Sequence, residues 1–102
     1  MSEDDARLLE GLRRGDDAAY EELVRSQGGR LLAVTRRILG DEDDARDAVQ
    51  EAFLSAFKSI DRFQGGSLVS TWLHRIAVNA ALMKLRSRRR RPGERGAGRR
   101  RG

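Results

Sequence analysis

Trp72, His74, Arg75 and Asn79 stand within eight residues and include the only Trp, the only His and the only Asn of the chain. Just upstream runs Arg62-Phe63-Gln64-Gly65-Gly66-Ser67; just downstream come Arg86, Arg88, Arg89 and more arginines. These residue types suit one chemistry. Apolar and aromatic walls stack against an unpaired base. An amide such as Asn79 both donates and accepts at a base edge. Guanidinium groups hold phosphates and so position a strand without reading it. A base becomes readable in this way only once it has left the stack.

No comparable set supports catalysis. The chain has no Cys, hence no disulfide and no thiolate ligand or nucleophile. Zinc sites usually draw several ligands from His and Cys, and a single His is too few. His74 has no evident orienting partner, which a general base requires. No phosphate-binding loop or nucleophile constellation occurs. The expectation is a non-enzyme with no cofactor and no metal.

Each reading residue also has a structural alternative. Trp72 is in phase with Leu73, Ile76, Ala80 and Met83, so its period favours a core ring that shapes a pocket from below. Phe63 follows a helix end, where packing and base-facing roles are equally open. His74 fits a surface polar group. Asn79 could satisfy a neighbouring backbone group. The arginines from 86 to 91 suit phosphate contact of a nonspecific kind.

These residues need elements to hold them. Asp4 to Leu12 reads as a short first helix ended near Gly15. Asp16 caps a second, with Asp17 in its first turn. Tyr20, Leu23, Val24, Leu31, Val34 and Ile38 recur near helical spacing along it. Gly28-Gly29 is expected to bend that helix or split it, and Gly40 to end it. Asp41 caps the third, whose buried face is Ala45, Ala48, Val49, Ala52, Phe53, Ala56 and Ile60. The loop 61–67 follows, with Ser67 as the cap of a fourth helix. Its expected buried stripe is Val69, Trp72, Leu73, Ile76, Ala80 and Met83, with His74, Arg75, Val78, Asn79 and Leu82 outside it. The expectation is an all-α compact bundle of three to four main helices over residues 1–87. Residues 88–102, rich in Arg and Gly, read as a disordered basic C-terminal tail or the start of a linker.

The 102 residues suffice for one domain. The formal net charge of +5 conceals a polarity. Residues 1–61 hold 9 basic and 15 acidic side chains, a net of −6; residues 62–102 hold 12 basic side chains and Glu94 alone, a net of +11. The basic end suits a phosphate backbone and the acidic half a different partner. No apolar run approaches the roughly 20 residues that span a bilayer, and the acidic start lacks a signal peptide's pattern. A cytoplasmic protein without membrane insertion is expected.

The order "YEELVRSQGGRLLAVTRRILGD", "GDEDDARDAVQEAFLSAFKSIDRF", "GGSLVSTWLHRIAVN" and a trailing basic run resembles region 2 of the bacterial sigma-70 family, of the extracytoplasmic-function (ECF) type of RNA polymerase sigma factor. The resemblance covers about residues 5–91. It implies a non-catalytic helical domain of a transcription initiation subunit. Such a domain docks on the clamp of the largest polymerase subunit and captures single-stranded promoter DNA, the non-template strand of the minus-ten element. By that match Asp47, Gln50, Glu51 and Leu54 are polymerase contacts. Phe63, Ser67, Trp72, His74, Arg75 and Asn79 lie in or near the DNA site, with Arg62, Gln64, Arg86, Arg88 and Arg89 beside them. Many relatives are held inactive by an anti-sigma factor. In the family a linker leads on to a second DNA-reading domain, so the expectation is an isolated domain of a longer protein, with a natural stand-alone protein as the alternative. The alternatives are a sequence-nonspecific basic nucleic-acid binder and a helical protein-interaction domain.

Overall fold

Two aspartates start two of the helices, as their spacing predicts. In the computed structural model, which describes residues 3–90 with side chains to residue 88, Asp16 accepts a hydrogen bond from the Ala18 amide at 3.1 Å. Asp41 accepts one from the Asp44 amide at 2.9 Å. Each satisfies a backbone N–H that has no partner inside its own helix. The helices are α1 (Glu3–Arg13), α2 (Asp17–Leu39), α3 (Glu42–Ser59) and α4 (Val69–Arg90), with a 3-10 turn over Ile60–Arg62. The described residues form an all-α bundle of four helices with no strand.

α2 runs unbroken through Gly28-Gly29, where a bend or a split was expected. Leu23 and Leu31, each 1% exposed, bury the helix on both sides of the pair. Burying such side chains contributes about 1.5–3 kcal/mol each, which outweighs roughly 1 kcal/mol lost per helical glycine. α2 ends at Gly40 in the left-handed conformation, whose N–H reaches the Arg36 carbonyl at 2.8 Å.

α3 behaves as its alanines predict. Ala45, Ala48, Ala52 and Ala56 are all buried and let α3 sit close to its neighbours. Phe53, Ile60 and Phe63 fill the remaining space with Leu9 and Leu12 of α1 and Leu73 of α4. α1 crosses α2 tightly: a Cβ added at Gly11 would lie 2.9 Å from Ala19 Cβ.

α4 departs from its expected stripe. Val69, Leu73, Ala77 and Ala81 have no accessible surface, whereas Trp72, Ile76 and Ala80 are half-buried and Met83 is 65% exposed. The buried line follows i, i+4 spacing through small residues because α4 packs against both α2 and α3, and close packing selects size as well as polarity. A pattern weighted towards large apolar side chains misplaces its centre.

The cap of α4 is also different. Ser67 Oγ donates to the Leu68 carbonyl at 3.3 Å instead of capping the helix. The Val69 amide is met by the Asp5 carboxylate of α1, at 3.2 and 3.3 Å from its two oxygens. At the other end α4 passes residue 88, the expected start of the tail, and stays helical to Arg90. Arg88 donates to the Leu39 carbonyl at 2.9 Å and lies 3.4 Å from the Asp44 carboxylate. It joins the end of α2 to the start of α3. The remainder of the expected 88–102 tail, residues 91–102, lies outside the described residues, as does the side chain of Arg89.

Candidate nucleic-acid interface

The segment between the 3-10 turn and α4 turns its aromatic ring inward. Phe63 is 5% exposed, and its ring centroid lies 4.9 Å from that of Trp72, with the planes 40° apart. Such tilted pairs add about 0.5–1.5 kcal/mol beyond the area they bury. Trp72 is half-buried, so the expected core role accounts for most of its ring. Phe63 can stack on a base only by leaving this pair. Gly65 takes a left-handed turn at φ 80°, and the exposed apolar side chain of the loop is Leu68, 45% accessible. Gln64 is exposed and Ser67 half-buried.

Asn79 lies on the α3 side of α4. It lines a groove of about 500 Å³ with Glu51, Ser55, Ile76, Met83 and Lys84. A second groove, lined by Glu51, Leu54, Ser55, Lys58 and Arg62, shares its Glu51 and Ser55 walls with the first. The α3–α4 groove with Asn79 and Lys84 is thus continued along α3 by the second, and together they form one seam that reaches Lys58 and Arg62. Its floor includes Ile76 and Ala80, and cations stand along it. Lys84 Nζ lies 3.5 Å from Glu51, an ion pair across the seam.

Arg75 and Arg86 share the outer stripe of α4 with Asn79, at spacings of four and seven, and all three are exposed. His74 is exposed but faces elsewhere, bordering a cavity towards α2 with Gln27, Arg30, Ser70 and Thr71. The seam thus unites Arg62 and Asn79, with Arg75 and Arg86 beside it, and leaves His74 apart.

The expected polymerase contacts share a face of α3. Asp47, Gln50 and Glu51 are exposed, and Leu54 is 52% accessible, high for a leucine. Two of them, Glu51 and Leu54, also wall the seam, so the two expected surfaces adjoin. Lys58 and Lys84 border the seam but were not among the expected site residues. Spacing from Asn79 offers no signal for Lys58, which sits on another helix.

Charge elsewhere serves the scaffold. Glu42 at the start of α3 takes hydrogen bonds from Arg36 at 2.8 Å and Arg46 at 3.1 Å. The Arg36 hydrogen bond first, and then that of Arg46, holds the Glu42 carboxyl below the usual carboxylate range. Among the described residues no group of three metal-ligating side chains occurs, and no helix is long and apolar enough to cross a membrane.

A four-helix arrangement with a polar seam, a glycine-bearing loop and cations along one flank defines a class of helical domain. The family model for sigma-70 region 2 matches residues 23–91. The chain is 40% identical over 90 residues to the RNA polymerase sigma-H factor of Pseudomonas aeruginosa, covering 88% of this chain and 47% of the relative. It is 44% identical over 99 residues to the ECF RNA polymerase sigma factor SigG of Mycobacterium tuberculosis, covering 97% and 26%. Among solved structures, an engineered region 2 of sigmaE in complex with GTAAAA, determined by NMR, matches with a TM-score of 0.77 and 38% identity. That match covers 89% of this chain and 97% of the other. The chain belongs to the sigma-70 region 2 family, of the ECF type, a family of non-catalytic regulatory domains. It spans half the length or less of these two curated relatives.

Proposed function

We propose that this domain reads the non-template strand of the minus-ten element for a cytoplasmic RNA polymerase and docks on the polymerase clamp through α3. The observation that carries the reading is the seam itself. Asn79 offers an amide beside Ile76 and Ala80 with Lys84 in the same groove, Arg75 and Arg86 share its stripe of α4, and Lys58 and Arg62 line the adjoining groove. A base edge needs the amide and a phosphate backbone the cations. The relative solved with GTAAAA has this fold and supports the same class of ligand. Asp47, Gln50, Glu51 and Leu54 form the docking face, which an anti-sigma factor would cover to keep the domain inactive.

The test begins with selection from single strands carrying six randomised positions, with GTAAAA as one fixed competitor. A recovered consensus is expected, bound more tightly than its scrambled form or its duplex. Recovery of no consensus, together with steep salt dependence, would instead assign a nonspecific basic binder. Asn79→Ala should lower the ratio of selected to scrambled affinity about tenfold, the range of one base-edge contact. Equal losses on both strands would remove Asn79 from the reading role. For the clamp, Asp47→Ala with Gln50→Ala, both outside the seam, should weaken binding to the isolated clamp about fivefold or more, with strand affinity retained. Unchanged clamp binding would reject this face. Glu51 is left intact because its replacement would also release Lys84 within the seam.

A further inference from the structure

α1 precedes the stretch that the family model matches, yet it makes polar bonds to both ends of the loop beside the seam. At one end the Arg13 guanidinium donates to the carbonyl of Phe63, fifty residues away. At the other, the Asp5 carboxylate accepts from the Val69 amide, sixty-four residues away. Between these anchors run Gln64 to Leu68, which belong to no helix, with Gly65 in a left-handed turn.

Asp5 and Arg13 are eight residues apart on one helix, a separation of about 12 Å along its axis. A helix keeps that separation fixed, so two anchors on it fix the span of whatever they hold. Both bonds involve a charged partner and are stronger than neutral ones. The Asp5 carboxylate also sits at the positive end of α4, which adds to its hold. Leu9 and Leu12, buried between the two anchors in sequence, seat α1 against the bundle and set where the anchors stand.

We infer that α1 is a brace: Asp5 and Arg13 are positioning residues that set the span of the 64–68 loop and thereby how it receives an unstacked nucleotide. The inference rests on the strand-reading function proposed above. The loop has few other means of holding its shape, since Phe63 is committed to Trp72 and Ser67 bonds only within the loop. Neither Asp5 nor Arg13 need touch DNA.

The experiment uses the full chain with Asp5→Ala, Arg13→Ala, the double variant, and Asp5→Asn, which keeps an acceptor oxygen. Three quantities are measured: thermal unfolding, amide hydrogen exchange, and the affinity ratio for selected against scrambled strands. In the double variant the Val69 amide, the loop-end amide that donates to Asp5, should exchange about tenfold faster or more, the scale of one charge-assisted hydrogen bond. Exchange in the middle of α2 and α3 should stay unchanged. The affinity ratio should fall several-fold, and Asp5→Asn should recover most of what Asp5→Ala loses at Val69. Unchanged loop exchange in a folded variant would overturn the brace, and so would an Asp5→Asn chain that behaves as Asp5→Ala does. Faster exchange with an intact affinity ratio would overturn its role in reading. A parent chain with no strand preference would defeat the proposed function instead, and loop exchange would still decide whether the brace exists.

Discussion

Thr35 has no accessible surface, and its hydroxyl must find a partner inside the bundle. It donates to the Leu31 carbonyl at 2.9 Å, with the carbonyls of Leu32 and Ala45 at 3.2 and 3.3 Å. The last links α2 to the first turn of α3. Thr35→Val keeps the branched shape and removes the hydroxyl, so it is expected to cost about 1 kcal/mol. Thr35→Ala should cost more, because a methyl-sized void is added to the same loss. Urea unfolding of both variants measures this, and a Val variant as stable as the parent would show the hydroxyl to be dispensable. Residue by residue, what was legible was local. Asp16 and Asp41 announce themselves because a cap acts within three residues of itself. Asp5 and Arg13 do not, because their partners lie sixty-four and fifty residues away. Thr35 sits one residue from Val34 on the helix, and periodicity alone selected the valine although the threonine is the buried one.

At the scale of elements, α3 was legible because one apolar face meets its neighbours and its period is undisturbed. α4 was read less well because two helices contact it, and the deepest line is built from Ala77 and Ala81 rather than from the larger Met83. The ends of α4 escaped for a further reason. Asp5 supplies the start from another helix, and Arg88, apparently one arginine of a run, anchors near the finish on α2 and α3. The glycine pair of α2 yields a prediction. Gly28 and Gly29 have ordinary helical backbone, and a Cβ at either would meet nothing within 4 Å. Gly28→Ala and Gly29→Ala should therefore each stabilise the chain by about 1 kcal/mol. The midpoint of denaturant unfolding should rise for each and rise further for both. A fall would mean that the helix needs glycine there for a reason its own packing does not contain.

For the whole molecule, the charge polarity and the seam make separable contributions. The acidic residues concentrate in the first three helices, while the net +11 of residues 62–102 begins at the loop and continues beyond α4. Phosphate contacts made by such a segment add affinity for every strand and cannot choose among them. The choice must come from groups that meet base edges, the role proposed above for Asn79. Sequence reading saw both ingredients and assigned the DNA and polymerase residues to different elements; the bundle places Glu51 beside Asn79 in one groove and beside Leu54 and Arg62 in the adjoining one. The two contributions are separated by replacing Arg99, Arg100 and Arg101 with glutamine in the full chain. If all three meet phosphate, the slope of log affinity against log salt for a single strand should shrink by about 2. Affinity for selected and scrambled strands should fall by the same factor, leaving their ratio intact, while Asn79→Ala should lower the ratio and leave the slope unchanged. The reverse pattern, a ratio lost with the arginines and kept without Asn79, would move base reading out of the seam.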